Sequence, residues 1–193
     1  MQRFFISLAA AAVVLSACGD PSGSSVKVGP PARLDIVSGD AQQGVAGKEL
    51  AQPLVVRVTD DKGKPVPGQI VNFRVVSGGG SVFAGAAQTN DDGEARERWT
   101  LGTSAADSQR VEARAVDPAT GAALVFGTFK AVVLPDAPVA LQVVGATARA
   151  APLGAVLADS LAARVVDAYG NPVPNAQVTW SVTAGGGIVS PAT

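Results

Sequence analysis

Hydrophobic and polar residues alternate with a period of two along most of the chain. Leu54, Val56 and Val58 fall on one side of an extended segment, and Val55, Arg57 and Thr59 on the other. That is the pattern of a strand with one buried face. The turn Asp60-Asp61-Lys62-Gly63 and the stiff Pro65-Val66-Pro67 follow, after which Val71, Phe73 and Val75 alternate with Asn72 and Arg74. Asn90-Asp91-Asp92-Gly93 reads as a turn with glycine where a positive φ is needed. Beyond it Ala95, Trp99 and Leu101 face one way, and Glu94, Arg96, Arg98 and Thr100 the other. Residues 108–117 and 122–133 form a last hairpin around Asp117-Pro118-Ala119-Thr120-Gly121. Seven or so short strands in about 100 residues predict an antiparallel β-sandwich. No segment after residue 18 carries a helical period.

The alternation returns 107 residues later. Residues 31–86 align with 138–193 without a gap, and 21 of the 56 positions are identical, so the chain is built from repeated modules. Val178, Trp180 and Val182 keep the inward parity of Val71, Phe73 and Val75. The boundary is Leu134-Pro135-Asp136-Ala137-Pro138, whose two prolines keep the linker extended and short and set the modules end to end. The predicted layout is a signal segment at 1–17, Cys18 and a tether at 18–30, a complete module at 31–134 and an incomplete second module at 135–193. The second copy stops just past Gly185-Gly186-Gly187, and half a sandwich exposes its apolar face and unpaired edges. The expectation is therefore a piece of a longer open reading frame. The alternative is a short protein with a decayed second domain.

Several motifs recur at characteristic spacing. They are V-x-D-x-x-G-x-P-V-P at 58–67, V-x-F-x-V at 71–75, the triple glycine at 78–80, T-x-D-x-G-x-A at 89–95 and W-T-L-G at 99–102. Together they resemble the bacterial Ig-like domain of group 1 (Big-1), the repeat of invasin- and intimin-type surface proteins. The first module carries every piece and the second carries them as far as Gly187. The resemblance implies an all-β fold of tandem immunoglobulin-like sandwiches, one complete and one truncated, and modules that serve as stalks or adhesive tips. It departs from antibody-type domains in lacking an inter-sheet disulfide. Phe73 and Trp180 are expected to stand in for the buried tryptophan of strand C.

The N-terminus carries an address. Arg3 precedes an apolar run at residues 4–15, interrupted only by Ser7. At 1.5 Å per residue the run reaches about 18 Å, too short for a hydrocarbon core of about 30 Å, which indicates a signal peptide. Leu15-Ser16-Ala17-Cys18 then resembles the bacterial lipobox. The resemblance implies cleavage after Ala17, acylation of Cys18 and stable membrane anchoring by several acyl chains. The alternative is an ordinary secretory signal with a bystander cysteine. Gly19, where an aspartate would signal inner-membrane retention, points to the outer membrane. Residues 19–30 are rich in Gly, Ser and Pro and read as a flexible tether with a span of roughly 20 Å.

Composition then narrows the chemistry. Charged residues are 16% and the net charge is −1, which excludes a basic nucleic-acid binder. Histidine is absent and Cys18 is the only cysteine, which excludes Ser-His-Asp and Cys-His sites, His-ligated or multi-cysteine metal sites and an intrachain disulfide. Asp60-Asp61 and Asp91-Asp92-Glu94 have calcium-binding chemistry, but Asp and Asn in turns more simply bond their own backbone. The first pair becomes Asp167-Ala168 in the second copy, so it is not a repeated ligand set. Catalytic carboxylates need a concave, desolvated site, which turn tips do not offer. Ser77-Gly78-Gly79-Gly80-Ser81 has no following helix and no Gly-Lys-Ser/Thr, and reads as a strand connection. Glu94, Arg96, Glu97 and Arg98 read as a solvated face, with a protein-contact patch as the alternative. Trp99 and Trp180 read as core residues. No catalytic, cofactor-binding or metal-ligating residue is assigned, and the one site residue is Cys18.

These readings combine into a lipid-anchored envelope protein, not an enzyme, whose modules act as a structural stalk or as adhesion or binding modules. Its expected partners are the membrane, through acylated Cys18, and an unidentified protein or glycan, with no nucleic acid. The expected place is the cell envelope, at the outer membrane, on a face the sequence leaves open. Two alternatives stand beside it: the anchor and spacer of a longer surface enzyme whose catalytic part is encoded past residue 193, and a periplasmic scaffold binding peptidoglycan or envelope partners.

Overall fold

The alternating segments become strands wherever a neighbouring segment can pair with them. In the computed structural model, which describes residues 28–190, module one supplies ten. β1 (Arg33–Ser38), β3 (Leu54–Thr59) and β7 (Glu94–Glu97) form an antiparallel sheet in the order β1-β3-β7. β2 (Gln42–Val45), β4 (Ile70–Ser77), β6 (Ala86–Gln88), β9 (Gln109–Val116) and β10 (Ala123–Leu134) form a second, in the order β2-β10-β9-β4-β6. β5 (Gly80–Val82) and β8 (Trp99–Leu101) make a short antiparallel pair. No helix occurs among the described residues. The signal segment, Cys18 and the tether up to residue 27 lie outside the described residues.

The inward residues of both sheets share one core. Leu54, Val56 and Val58 are fully buried, and they cluster with Val71, Phe73, Val111, Ala113, Ala115 and Phe129 from the five-stranded sheet. Burying each Val, Leu or Phe stabilises the fold by about 1.5–3 kcal/mol. Ala95, Trp99 and Leu101 fill the same core, as their parity predicts. Phe73 occupies the interior as expected. Trp99 Nε1 is buried without a hydrogen-bond partner among the described residues.

Strand β2 was not visible in the pattern, nor were the short β5 and β6. Gln42-Gln43-Gly44-Val45 does not alternate, yet β2 pairs with β10, and in parallel. The chain reaches it by crossing between the sheets just after β1. Gly39 adopts φ +89° there, and a Cβ at that position would strike the Pro53 carbonyl. Gln42 holds the crossing, donating from Nε2 to the carbonyls of Gly39 (2.8 Å) and Gln52 (2.9 Å).

The second repeat begins the same way. β11 (Ala140–Val144) pairs with β12 (Ala162–Val166). Leu141 lies opposite Val165 and Gln142 opposite Arg164, just as Leu34 lies opposite Val58 and Asp35 opposite Arg57 in β1 and β3. The bridge between Thr59 and Pro65 recurs between Val166 and Pro172. The expected strand through Val178, Trp180 and Val182 does not form. Val178 and Trp180 are half-buried, so Trp180 is not a full core residue, and Val182 is 44% exposed. The reason is pairing. β4 is held between β9 and β6, and the counterparts of both fall past the described residues in the 107-residue register.

Candidate functional site at the module joint

Each repeat carries a loop organised by one aspartate. In module one the Asp60 carboxylate, 3% exposed, accepts backbone N–H groups from Lys62 (2.9 Å), Lys64 (2.8 Å) and Gly29 (3.1 Å). The bond from Lys64 leads in holding its pKa below the ordinary value. In module two Asp167 accepts from Tyr169 (2.9 Å), Asn171 (2.8 Å) and Asp136 (3.0 Å). Burial works to raise the Asp167 pKa; the Asn171 amide and the three backbone donors outweigh it and bring it to about 2. Each aspartate therefore ties its loop to the segment that enters the module, at Gly29 or Asp136.

The loop of module two also touches module one. Asn171 is 6% exposed. Its side-chain oxygen accepts from Ala105 N (2.8 Å), and its Nδ2 donates to the Thr103 carbonyl and to Asp167 Oδ2 (both 2.8 Å). The Tyr169 hydroxyl lies against Gly47, where a Cβ would come within 2.8 Å of it. Lys48 pairs with Asp136 of the linker at 3.9 Å, an exposed contact of little weight. The receiving loop is itself well held. Gln109, 1% exposed, accepts from Gly102 N (3.0 Å) and donates to the Gly78 carbonyl (2.9 Å). The triple-glycine loop is thus a strand connection clasped by Gln109, and it carries positive φ at all three glycines.

Other expected positions fall out differently. Asn90 Oδ1 accepts from Asp92 N (3.1 Å) and Glu94 N (2.8 Å), which makes this acidic stretch a self-bonded turn. The charge run is not a uniformly solvated face. Arg96 and Arg98 are exposed, but Glu97 is 4% exposed. Its carboxylate accepts from Ala84 N (3.1 Å), Gly85 N (2.7 Å) and Arg98 N (2.8 Å). Parity places it with Ala95 and Trp99, and the three donors satisfy a carboxylate that would otherwise stay in water. No group of three or more metal-ligating side chains occurs among the described residues. No helix there is long and apolar enough to cross a membrane.

The two sheets differ in outward charge. On the three-stranded sheet Arg33 pairs with Asp35 (2.8 Å) and Arg96 with Glu94 (3.3 Å), and Arg57 lies between Asp35 and Glu94 in register. On the five-stranded sheet Arg74, Arg110 and Lys130 are exposed and make no ion pair among the described residues, while Arg114 takes the one carboxylate, Glu112. Lys130 stands directly opposite Arg110, a like-charge pair that disfavours the sheet. Phe126, 66% exposed, lies opposite Arg114.

No protein-family model matches the chain, and no curated protein matches it. Among solved structures it is similar to one described as the C-terminal 282-residue fragment of intimin in complex with the intimin-binding domain of the translocated intimin receptor. The match has 20% identity and a TM-score of 0.37 over 60% of this chain. The chain spans about a third of that fragment, 35% of its length.

Proposed function

We propose that this chain is the membrane-proximal part of a lipid-anchored envelope stalk of Big-1-type modules, without catalytic chemistry of its own. The joint carries the reading. A flexible linker alone would let two modules swing, whereas Asn171, donating to the Thr103 carbonyl and accepting from Ala105 N–H in part-buried hydrogen bonds, holds the second module in one direction on the first. A spacer that projects a distal region from a surface needs that property. Acylated Cys18 and the tether place module one near the lipid at the outer membrane. Replacing Cys18 by Ala is expected to abolish palmitate labelling and release the protein from the membrane fraction. Unchanged labelling of that variant would overturn the anchor. Protease shaving of intact cells distinguishes a surface-exposed from a periplasmic face.

An adhesive role is favoured by a separate observation, the exposed Lys130 and Arg110 opposed across the five-stranded sheet, neither of which makes an ion pair among the described residues. Like charges opposed across a ladder persist where something other than folding uses them. The partner would be anionic, and its binding would weaken with salt.

A further inference from the structure

The two aspartate loops share their backbone bonds one for one. Asp60 N bonds the Lys64 carbonyl and Gly63 N bonds the Asp60 carbonyl; Asp167 N bonds the Asn171 carbonyl and Gly170 N bonds the Asp167 carbonyl. The loops differ at three positions, where Asp61, Lys62 and Lys64 become Ala168, Tyr169 and Asn171. Two of these, Tyr169 and Asn171, are the residues that meet module one.

The chemistry of the contact explains the choice. The receiving loop offers one backbone acceptor, the Thr103 carbonyl, and one backbone donor, Ala105 N–H. An asparagine amide supplies both a donor and an acceptor, so it pairs with each at once. A lysine has three donors and no acceptor. In the same place it would leave Ala105 N–H unpaired and take an ammonium out of water.

We infer that the residue four places after the loop aspartate decides whether a module can stack on another. Asn171 makes the second module a stacking module, and its partner is the Gly102–Ala105 end of an Ig-like module of this kind. Lys62 and Lys64 make module one a leading module, whose entering pole is not built to dock on such an end. The order of modules is then written into this loop: the lysine-bearing copy comes first, and copies that follow it need an amide. The inference deepens the stalk reading and rests on the same joint.

The test uses the full chain with Cys18→Ala, spin-labelled through Ala119→Cys in module one and Gln142→Cys in module two. Pulsed electron paramagnetic resonance then reads the distance between them. The parent and a Lys64→Asn variant are expected to give one narrow distance, and Asn171→Lys and Asn171→Ala to lose it. Because Asn171 also bonds Asp167 within module two, Gly47→Ala provides a second disruption from module one's side. Its new Cβ crowds the Tyr169 hydroxyl and leaves module two's sequence intact, and the narrow distance is expected to be lost again. A narrow distance in Asn171→Lys or in Asn171→Ala overturns the inference. Palmitate labelling of the unmodified chain is independent of these distances, so a failure of the anchor and a failure of the joint are told apart.

Discussion

The short loop around Ala84 and Gly85 hangs on Glu97. Its carboxylate takes three backbone donors in a nearly dry position, and removing it leaves those donors without their acceptor. Glu97→Ala is therefore expected to lower module one's stability by about 1–3 kcal/mol. Glu97→Gln keeps an acceptor oxygen and is expected to cost less; guanidinium unfolding followed by circular dichroism checks the order. Trp99 makes the opposite case. Its ring is wholly buried while its Nε1 has no partner among the described residues. Trp99→Ala opens a cavity worth about 3–5 kcal/mol, but Trp99→Phe also removes an unpaired donor, so its loss should be far smaller than the difference in ring size suggests. A Trp99→Phe loss as large as that of Trp99→Ala would show that the indole N–H is satisfied. Trp99's place was legible, because an apolar residue at inward parity has one cheap destination. Glu97 shares that parity with Ala95 and Trp99, but a carboxylate goes inside only when donors wait there, and two of its three donors belong to a loop 12 and 13 residues away in sequence. Asn171 was hidden for the same reason. Its partners Thr103 and Ala105 are 68 and 66 residues distant, and no local pattern joins them.

At the scale of elements, the aspartate loop is the recurring part. Asp167 has a folded-state pKa of about 2 against an ordinary 3.8. A depressed carboxyl stabilises the folded loop fully above its ordinary pKa and loses that contribution as pH falls towards the folded value. The loop is thus expected to hold unchanged from neutral pH to about pH 4 and to loosen between there and pH 2. The charged and titratable neighbours Lys48, Asp136 and Tyr169 belong to the same joint. Carbon-detected NMR of the Asp167 carboxyl, with amide exchange at Tyr169 and Asn171, checks this; a carboxyl that titrates near 3.8 would contradict the bonding. The loop itself was legible, since Asp-x-x-Gly-x-Pro-Val-Pro recurs with its spacing intact. Strand β2 was not, because Gln42-Gln43-Gly44-Val45 lacks alternation and its pairing with β10 depends on the sheet crossing at Gly39. The segment through Val178 and Trp180 shows the converse. Alternation marks which side of a segment is apolar, but a strand also needs a neighbour to bond.

For the whole molecule, the two repeats carry very unequal cores. Among the described residues the buried apolar side chains all belong to module one except Val166. The inner face of module two, with Ala163, Val165, Val173 and Val178, instead lines an open groove of about 630 Å³ with Ala105 and Val133 of module one. The counterparts in module one, Val56, Val58, Val66 and Val71, are covered by Trp99, Val111 and Phe129 from β8, β9 and β10. Hydrophobic burial on that scale is what offsets the entropy of ordering a chain. Module one should therefore fold without its neighbour, and residues 138–193 should not fold without module one. Two bonds cross from Asn171 to module one, each worth about 0.5–1.5 kcal/mol net. A chain ending at Asp136 is accordingly expected to unfold in one cooperative transition, within about 3 kcal/mol of the full chain. A peptide of residues 138–193 is expected to melt without a transition and to bind a hydrophobic dye while monomeric. A sharp monomeric transition in that peptide would mean that β11 and β12 find a covering layer within their own repeat, and the groove would then close without any segment supplied from elsewhere.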